Sequence, residues 1–142
     1  MSNTENLIDL FAEFAVDKDK AEKGAPLEIG GTTFKVAKIN TAEALAYRNT
    51  RLQELNEKFP AEERKAENKA WTAAVDEVFI RTHAKFTLVG WDKLKFKGQV
   101  IEGYSEEVAY ELMAMEEFAE VILRFAANRK NYSVMTEEEA KN

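Results

Sequence analysis

The chain has 142 residues, a formal net charge of −6 and no cysteine. That length fits one domain, and the lack of cysteine excludes disulfides, Cys-ligated zinc and thiol catalysis. The acidic balance excludes a general electrostatic hold on nucleic acid, and 45% hydrophobic against 32% charged residues excludes wholesale disorder.

The N-terminus, MSNTENLIDLF, has no basic region, and no stretch approaches the roughly 18 apolar residues of a membrane helix. The expectation is a cytoplasmic protein, neither secreted nor membrane-bound. Residues 1–132 read as one domain, with 1–24 as an N-terminal helix and linker, and 133–142 as a disordered acidic tail.

From Asn6 to Val16, Leu7, Leu10, Phe11, Phe14 and Ala15 fall at helical spacing on one apolar face. Two readings stand: an ordinary core helix, or an amphipathic arm that engages another protein. The run DKDKAEKGAP then breaks the helix with charge, Gly24 and Pro26. Leu27 to Val36 reads as a β-hairpin turning at Gly30-Gly31, because both turn residues can take positive φ. That register sets Ile29 opposite Thr32 and Leu27 opposite Phe34, so Leu27, Ile29, Phe34 and Val36 share one side. The Gly pair lacks GxxxxGK[ST] and GxGxxG, so it is no phosphate loop.

Asn40-Thr41-Ala42-Glu43 has the form of a capping box with Asn40 as N-cap. The helix that follows carries Leu45, Leu52, Leu55 and Phe59 on one stripe and ends at Pro60. AEERKAENKA (61–70) has no large apolar side chain and reads either as the exposed first half of a helix or as a mobile connection. Trp71, Val75, Val78, Phe79, Thr82, Phe86 and Val89 then recur at three or four, so one helix is expected from Pro60 to Val89, stopped by Gly90.

His83 is the only histidine. Without a second ligand at metal spacing it reads as helix surface or boundary. Lys93, Lys95 and Lys97 alternate, as on a solvated loop or an edge strand. Ser105 is the expected N-cap of the next helix, with Glu106 and Glu107 at the positive end of its dipole and Tyr104 stapling onto Ala109. Its apolar stripe is Val108, Leu112 and Met115, then Phe118, Val121, Ile122 and Phe125, with Glu116-Glu117 as a bend or a second start. Between Ser105 and Glu120 there are six Glu and no basic residue. No DxD-like cluster accompanies them, so they read as a solvated or partner-facing surface and not as paired catalytic acids. No catalytic, cofactor-binding or metal-binding residue is singled out.

FTLVGWDKL, then Gly98, YSEEVAYELM and FAEVILRFA, together resemble the tail assembly chaperones of long-tailed, siphovirus-like bacteriophages. In that family an apolar helix ends in a Gly-Trp-acidic step, here Gly90-Trp91-Asp92. A glycine turn, an aromatic-Ser/Thr helix start (Tyr104-Ser105) and a last amphipathic helix (Phe118 to Phe125) follow. GTTFKVAKINTAEALAYRN resembles the family's short β element and helix. The likeness covers Leu27 to Tyr132, and its motifs are structural. FKGQ departs from the family's turn, which more often carries Asp or Asn beside Gly.

The resemblance implies a chaperone that binds the tape measure protein, keeps its helical apolar surface soluble, and recruits tail tube subunits. It implies action in the host cytoplasm, departure before the virion matures, and no catalysis. The family often self-associates, although no heptad run here demands a homo-oligomer. A structural tail completion or connector protein of the virion is the alternative. Candidate partner-binding residues are Leu7, Leu10, Phe11 and Phe14 on the N-terminal stripe, and Trp91, which reads either as a core plug or as a contact. No cofactor, nucleic acid or membrane is expected as a partner. The expected fold is α+β: a predominantly helical domain with an N-terminal β-hairpin packed on four or five helices.

Overall fold

Gly30 and Gly31 turn the chain with φ of 56° and 86°, the positive values that a two-residue hairpin requires. They join β1 (Ala25–Ile29) to β2 (Thr32–Val36), with Leu27 opposite Phe34 and Ile29 opposite Thr32. The register follows the apolar alternation, and Phe34 and Val36 are buried. The computed structural model describes residues 4–134. Among these the fold is α+β, with six α-helices and two small antiparallel sheets.

Ahead of the hairpin lie α1 (Leu10–Phe14) and α2 (Lys18–Lys23). The helix expected from Asn6 to Val16 therefore shrinks to five residues. Asp9 caps it by accepting from the Phe11 and Ala12 amides, and Ala15 is already extended. Val16 then bridges Ser133, and the Val134 amide donates to the Ala15 carbonyl. A short helix with its stripe in water has little to extend it, whereas pairing with Ser133 satisfies the backbone.

The segment expected as a linker contains α2. The Asp17 side chain accepts from Asp19 and Lys20, Lys23 pairs with Asp19 at 3.0 Å, and Ala21 is buried. Ser133, placed by its sequence in a disordered tail, is buried and tied to Val16. The rest of that tail, 135–142, lies outside the described residues.

Asn40 is not an N-cap. It takes φ 59°, which asparagine tolerates, and accepts from Arg48, so the cap falls on Thr41 without a side-chain bond. From there α3 (Ala42–Lys58) packs on α4 (Lys69–Phe86), with Phe59 edge-on to Trp71 and Tyr47 against Phe86. The single helix expected from Pro60 to Val89 is broken. Residues Ala61–Glu63 form one 3-10 turn, and the Arg64 guanidinium donates to the Phe59 and Asn56 carbonyls. Asn68 caps α4 by accepting from Ala70 and Trp71. With no large apolar side chain in 61–70 to bury, these polar bonds decide the path.

Gly90 does not stop a helix. α4 ends at Phe86, and Gly90 lies in β3 (Leu88–Trp91), which pairs with β2 to complete the order β1-β2-β3. The apolar run from Leu88 to Trp91 is a strand end in the core, where short apolar runs do not distinguish helix from strand. Beyond Asp92, β4 (Lys93–Phe96) and β5 (Gln99–Glu102) form a second hairpin that the sequence reading did not foresee. Its turn places Lys97 at φ 53° and Gly98 at φ 80°. Lys97 thus occupies the position that Asn or Asp fills more readily. Leu94 points into the core while Lys93 and Lys95 stay exposed, in keeping with an edge strand.

Ser105 caps α5 (Glu106–Met113) through a bond from the Val108 amide, as its sequence suggests. The Tyr104 ring lies against Trp91, its hydroxyl donating to the Ala84 carbonyl. Glu116 opens a second helix, α6 (Glu116–Ala127). The expected stripe breaks at Met115, which caps α6 and is exposed, and Val121 also faces water. The main core joins Phe34, Val36, Leu88, Leu94, Leu112 and Ile122.

Candidate functional site

Two surfaces present apolar side chains to solvent. The first is the N-terminal stripe. Leu7 is 72% exposed, Leu10 64%, Phe11 70% and Phe14 54%, and Ile8 joins them. An isolated exposed Leu needs no explanation, but five large apolar residues within eight positions do. The root of this arm is fixed: Glu13 pairs with Arg129 at 2.7 Å, the same guanidinium covers the Phe14 ring, and the Asp17 amide donates to the Tyr132 carbonyl. These polar bonds and the cation–π contact anchor the end of the stripe to the body, while Leu7, Ile8, Leu10 and Phe11 stay exposed.

Trp91 belongs to the core. It is 6% exposed, edge-on to Phe34 and packed on Tyr104. It does not join the N-terminal stripe as a surface contact, because β3 turns its side chain inward. Its indole Nε1 is buried with no hydrogen-bond partner among the described residues. Beside it, the Asp92 carboxylate accepts from the Lys93 amide at 2.7 Å and the Thr33 amide at 3.0 Å. These two bonds hold its pKa below the usual carboxylate range. Thr32 Oγ1 donates to the Lys93 carbonyl. The Gly-Trp-Asp step thus plugs the core with Trp91 and stitches the two hairpins together with Asp92.

The second surface is a groove of about 770 Å³ flanked by α4 and α6, with the end of α5 and Ile39 closing it. Phe79, Ile80, Met113, Ala119 and Leu123 form its apolar lining, and Asp76, His83, Glu116, Glu120 and Arg124 its ionisable groups. Arg124 is paired with Glu120 at 2.8 Å. The His83 Nδ1 lies 2.9 Å from the Thr87 hydroxyl. Burial, helped by the positive charge of Arg48, holds His83 below the usual imidazole pKa.

A single core-facing stripe on α6 does not account for this groove. The signal was present in the width of the pattern: Phe118-Ala119, Ile122-Leu123 and Ala126-Ala127 are adjacent apolar pairs. One member of each pair faces inward and the other lines the groove, an arc wider than a single packing face requires.

The six Glu from 106 to 120 are all exposed; Glu111 pairs with Lys97 and Glu120 with Arg124. Among the described residues no group of three or more His, Asp or Glu is arranged to hold a metal ion, and no helix is long and apolar enough to cross a membrane. Comparison with protein-family models, curated proteins and solved structures finds no match.

Proposed function

We propose that this protein is a tail assembly chaperone of long-tailed bacteriophages. It binds the tape measure protein, keeps that long helical chain soluble and recruits tail tube subunits, without catalysis. It acts in the host cytoplasm and leaves before the virion is complete. The observation that carries the reading is the N-terminal stripe, in which Leu7, Leu10, Phe11 and Phe14 stay more than half exposed although the chain closes a core behind them. A chaperone for apolar helices needs such surface, bordered by charge that keeps the free protein soluble. Glu5, Asp9 and Glu13 supply that charge here. The resemblance at Gly98 and Tyr104-Ser105 supports the particular family, whereas Gly90-Trp91-Asp92 departs from it, because Gly90 and Trp91 lie in β3 and not at a helix end.

Co-expression with the tape measure and tube proteins of the same genome tests the proposal. The tape measure protein is expected to co-purify and to become more soluble, and failure of both rejects the reading. Mass spectrometry of purified particles separates it from a tail completion or connector subunit, which would be present in stoichiometric amount.

A further inference from the structure

The groove between α4 and α6 has the shape and charge of a seat for one more helix. α6 lines it with Glu116, Ala119, Glu120, Leu123, Arg124 and Ala127. These recur at three and four and span the whole helix, roughly 16 Å at 1.5 Å per residue. α4 contributes Asp76, Phe79, Ile80 and His83 at the same spacing. α5 packs on both α4 and α6 and closes the space beneath them. Two helix faces flanking an apolar floor, α6 over its whole length and α4 over about two turns, match a helical segment better than a compact small molecule, which needs enclosure on most sides.

The charge is one-sided. Asp76, Glu116 and Glu120 are acidic and Arg124 basic, and Arg124 is already engaged by Glu120. Asp76 and Glu116 are exposed and make no ion pair among the described residues. His83, held below its usual pKa, adds no positive charge at neutral pH. Arg48, stacked on Phe79, is a further cation at the rim, and it lies outside the lining. The N-terminal arm of a second copy suits the seat poorly, because its own charges are Glu5, Asp9 and Glu13.

We propose that this groove binds an amphipathic helix of a partner protein, its apolar stripe on Ile80, Met113 and Leu123 and its flanking Lys or Arg facing Asp76 and Glu116. This deepens the chaperone reading, on which it rests for the partner's identity, by naming a second docking surface and the chemistry it selects.

The test uses the full chain, isotope-labelled for NMR, and two synthetic helical peptides of about 16 residues. Both carry the same leucine stripe; one has lysine flanks and the other glutamate flanks. The lysine peptide is expected to shift the amides of 76–83 and 113–127 and to bind about tenfold or more tightly than the glutamate peptide. Charge reversal with Asp76→Lys and Glu116→Lys, both at exposed positions, should remove that preference while lowering the melting temperature only slightly, because Glu116 lies in the first turn of α6. Equal binding of the two peptides, shifts centred elsewhere, or a preference that survives charge reversal overturns the proposal. Co-expression separates it from the chaperone reading. If the tape measure protein binds the charge-reversed variant as well as the wild type, the groove proposal falls and the chaperone reading stands. If the lysine peptide seats in the groove but the tape measure protein does not co-purify, the chaperone reading falls and the groove stands.

Discussion

The hydroxyl of Tyr132 donates a 2.8 Å hydrogen bond to the backbone carbonyl of Val36, joining positions 96 residues apart. Both residues are fully buried. The bond fastens the turn that follows α6 to the central strand β2, and Ala21, Ala25 and Phe125 pack around the ring. The same turn holds the root of the N-terminal arm through Asp17 and Val16. Tyr132 therefore anchors the turn to which the root of the N-terminal segment is bonded.

Tyr132→Phe removes this donor and leaves the Val36 carbonyl short of a partner. The expected loss is about 1–3 kcal/mol, read as a lower urea midpoint with an unchanged slope. Burial also pushes the Tyr132 pKa up. Above about pH 10 an unfolded tyrosine ionises while the buried one keeps its proton. The folded state then binds more protons, so stability falls as pH rises. The wild type should lose more stability between pH 9 and 11 than Tyr132→Phe does.

His83 has the opposite sign. Its folded pKa is depressed, by burial first and by Arg48 second. The unfolded chain binds the proton more readily, so this contribution is present above about pH 6.5 and is lost as pH falls toward the folded value. An NMR titration of the imidazole should give a midpoint below 6.5. Arg48→Gln should raise that midpoint only in part, because burial remains.

Gly24 closes α2 with φ 100°, and a Cβ there would sit 3.0 Å from the Val36 amide nitrogen and 3.1 Å from the Lys35 carbonyl carbon. These are backbone atoms held in the sheet and have little freedom to yield. Gly24→Ala should destabilise by about 1–3 kcal/mol, visible as a lower melting temperature.

Leu7→Ser with Phe11→Ser addresses function without touching the core. Both side chains are at least 70% exposed, so stability should stay within about 0.5 kcal/mol of wild type. On the proposed chaperone reading, co-purification of the tape measure protein should nevertheless fall sharply. Retained capture would show that the stripe is not the contact.

The elements that sequence reading located are those whose signal is local. Gly30-Gly31 demands a turn and the alternation around it fixes the register; Ser105 followed by two glutamates marks a helix start. The failures have a common origin in competing partners. Asn40 has the chemistry of a cap, but its backbone turns the other way and Arg48 takes its side chain. Gly90 resembles a helix stop, but β2 offers its neighbours a strand to pair with.

By itself the sequence determined an acidic, cysteine-free, mainly helical α+β domain, one N-terminal hairpin, and an apolar N-terminal stripe that reads as either core or surface. Composition and short-range periodicity suffice for these, because they depend on a residue and its near neighbours. Only the tertiary structure decided that Trp91 is core, that Asp92 and Tyr132 are fasteners, and that α4 and α6 leave a groove between them. Each depends on contacts between segments far apart in the chain. Such contacts set which of several locally acceptable faces is buried and which is left for a partner.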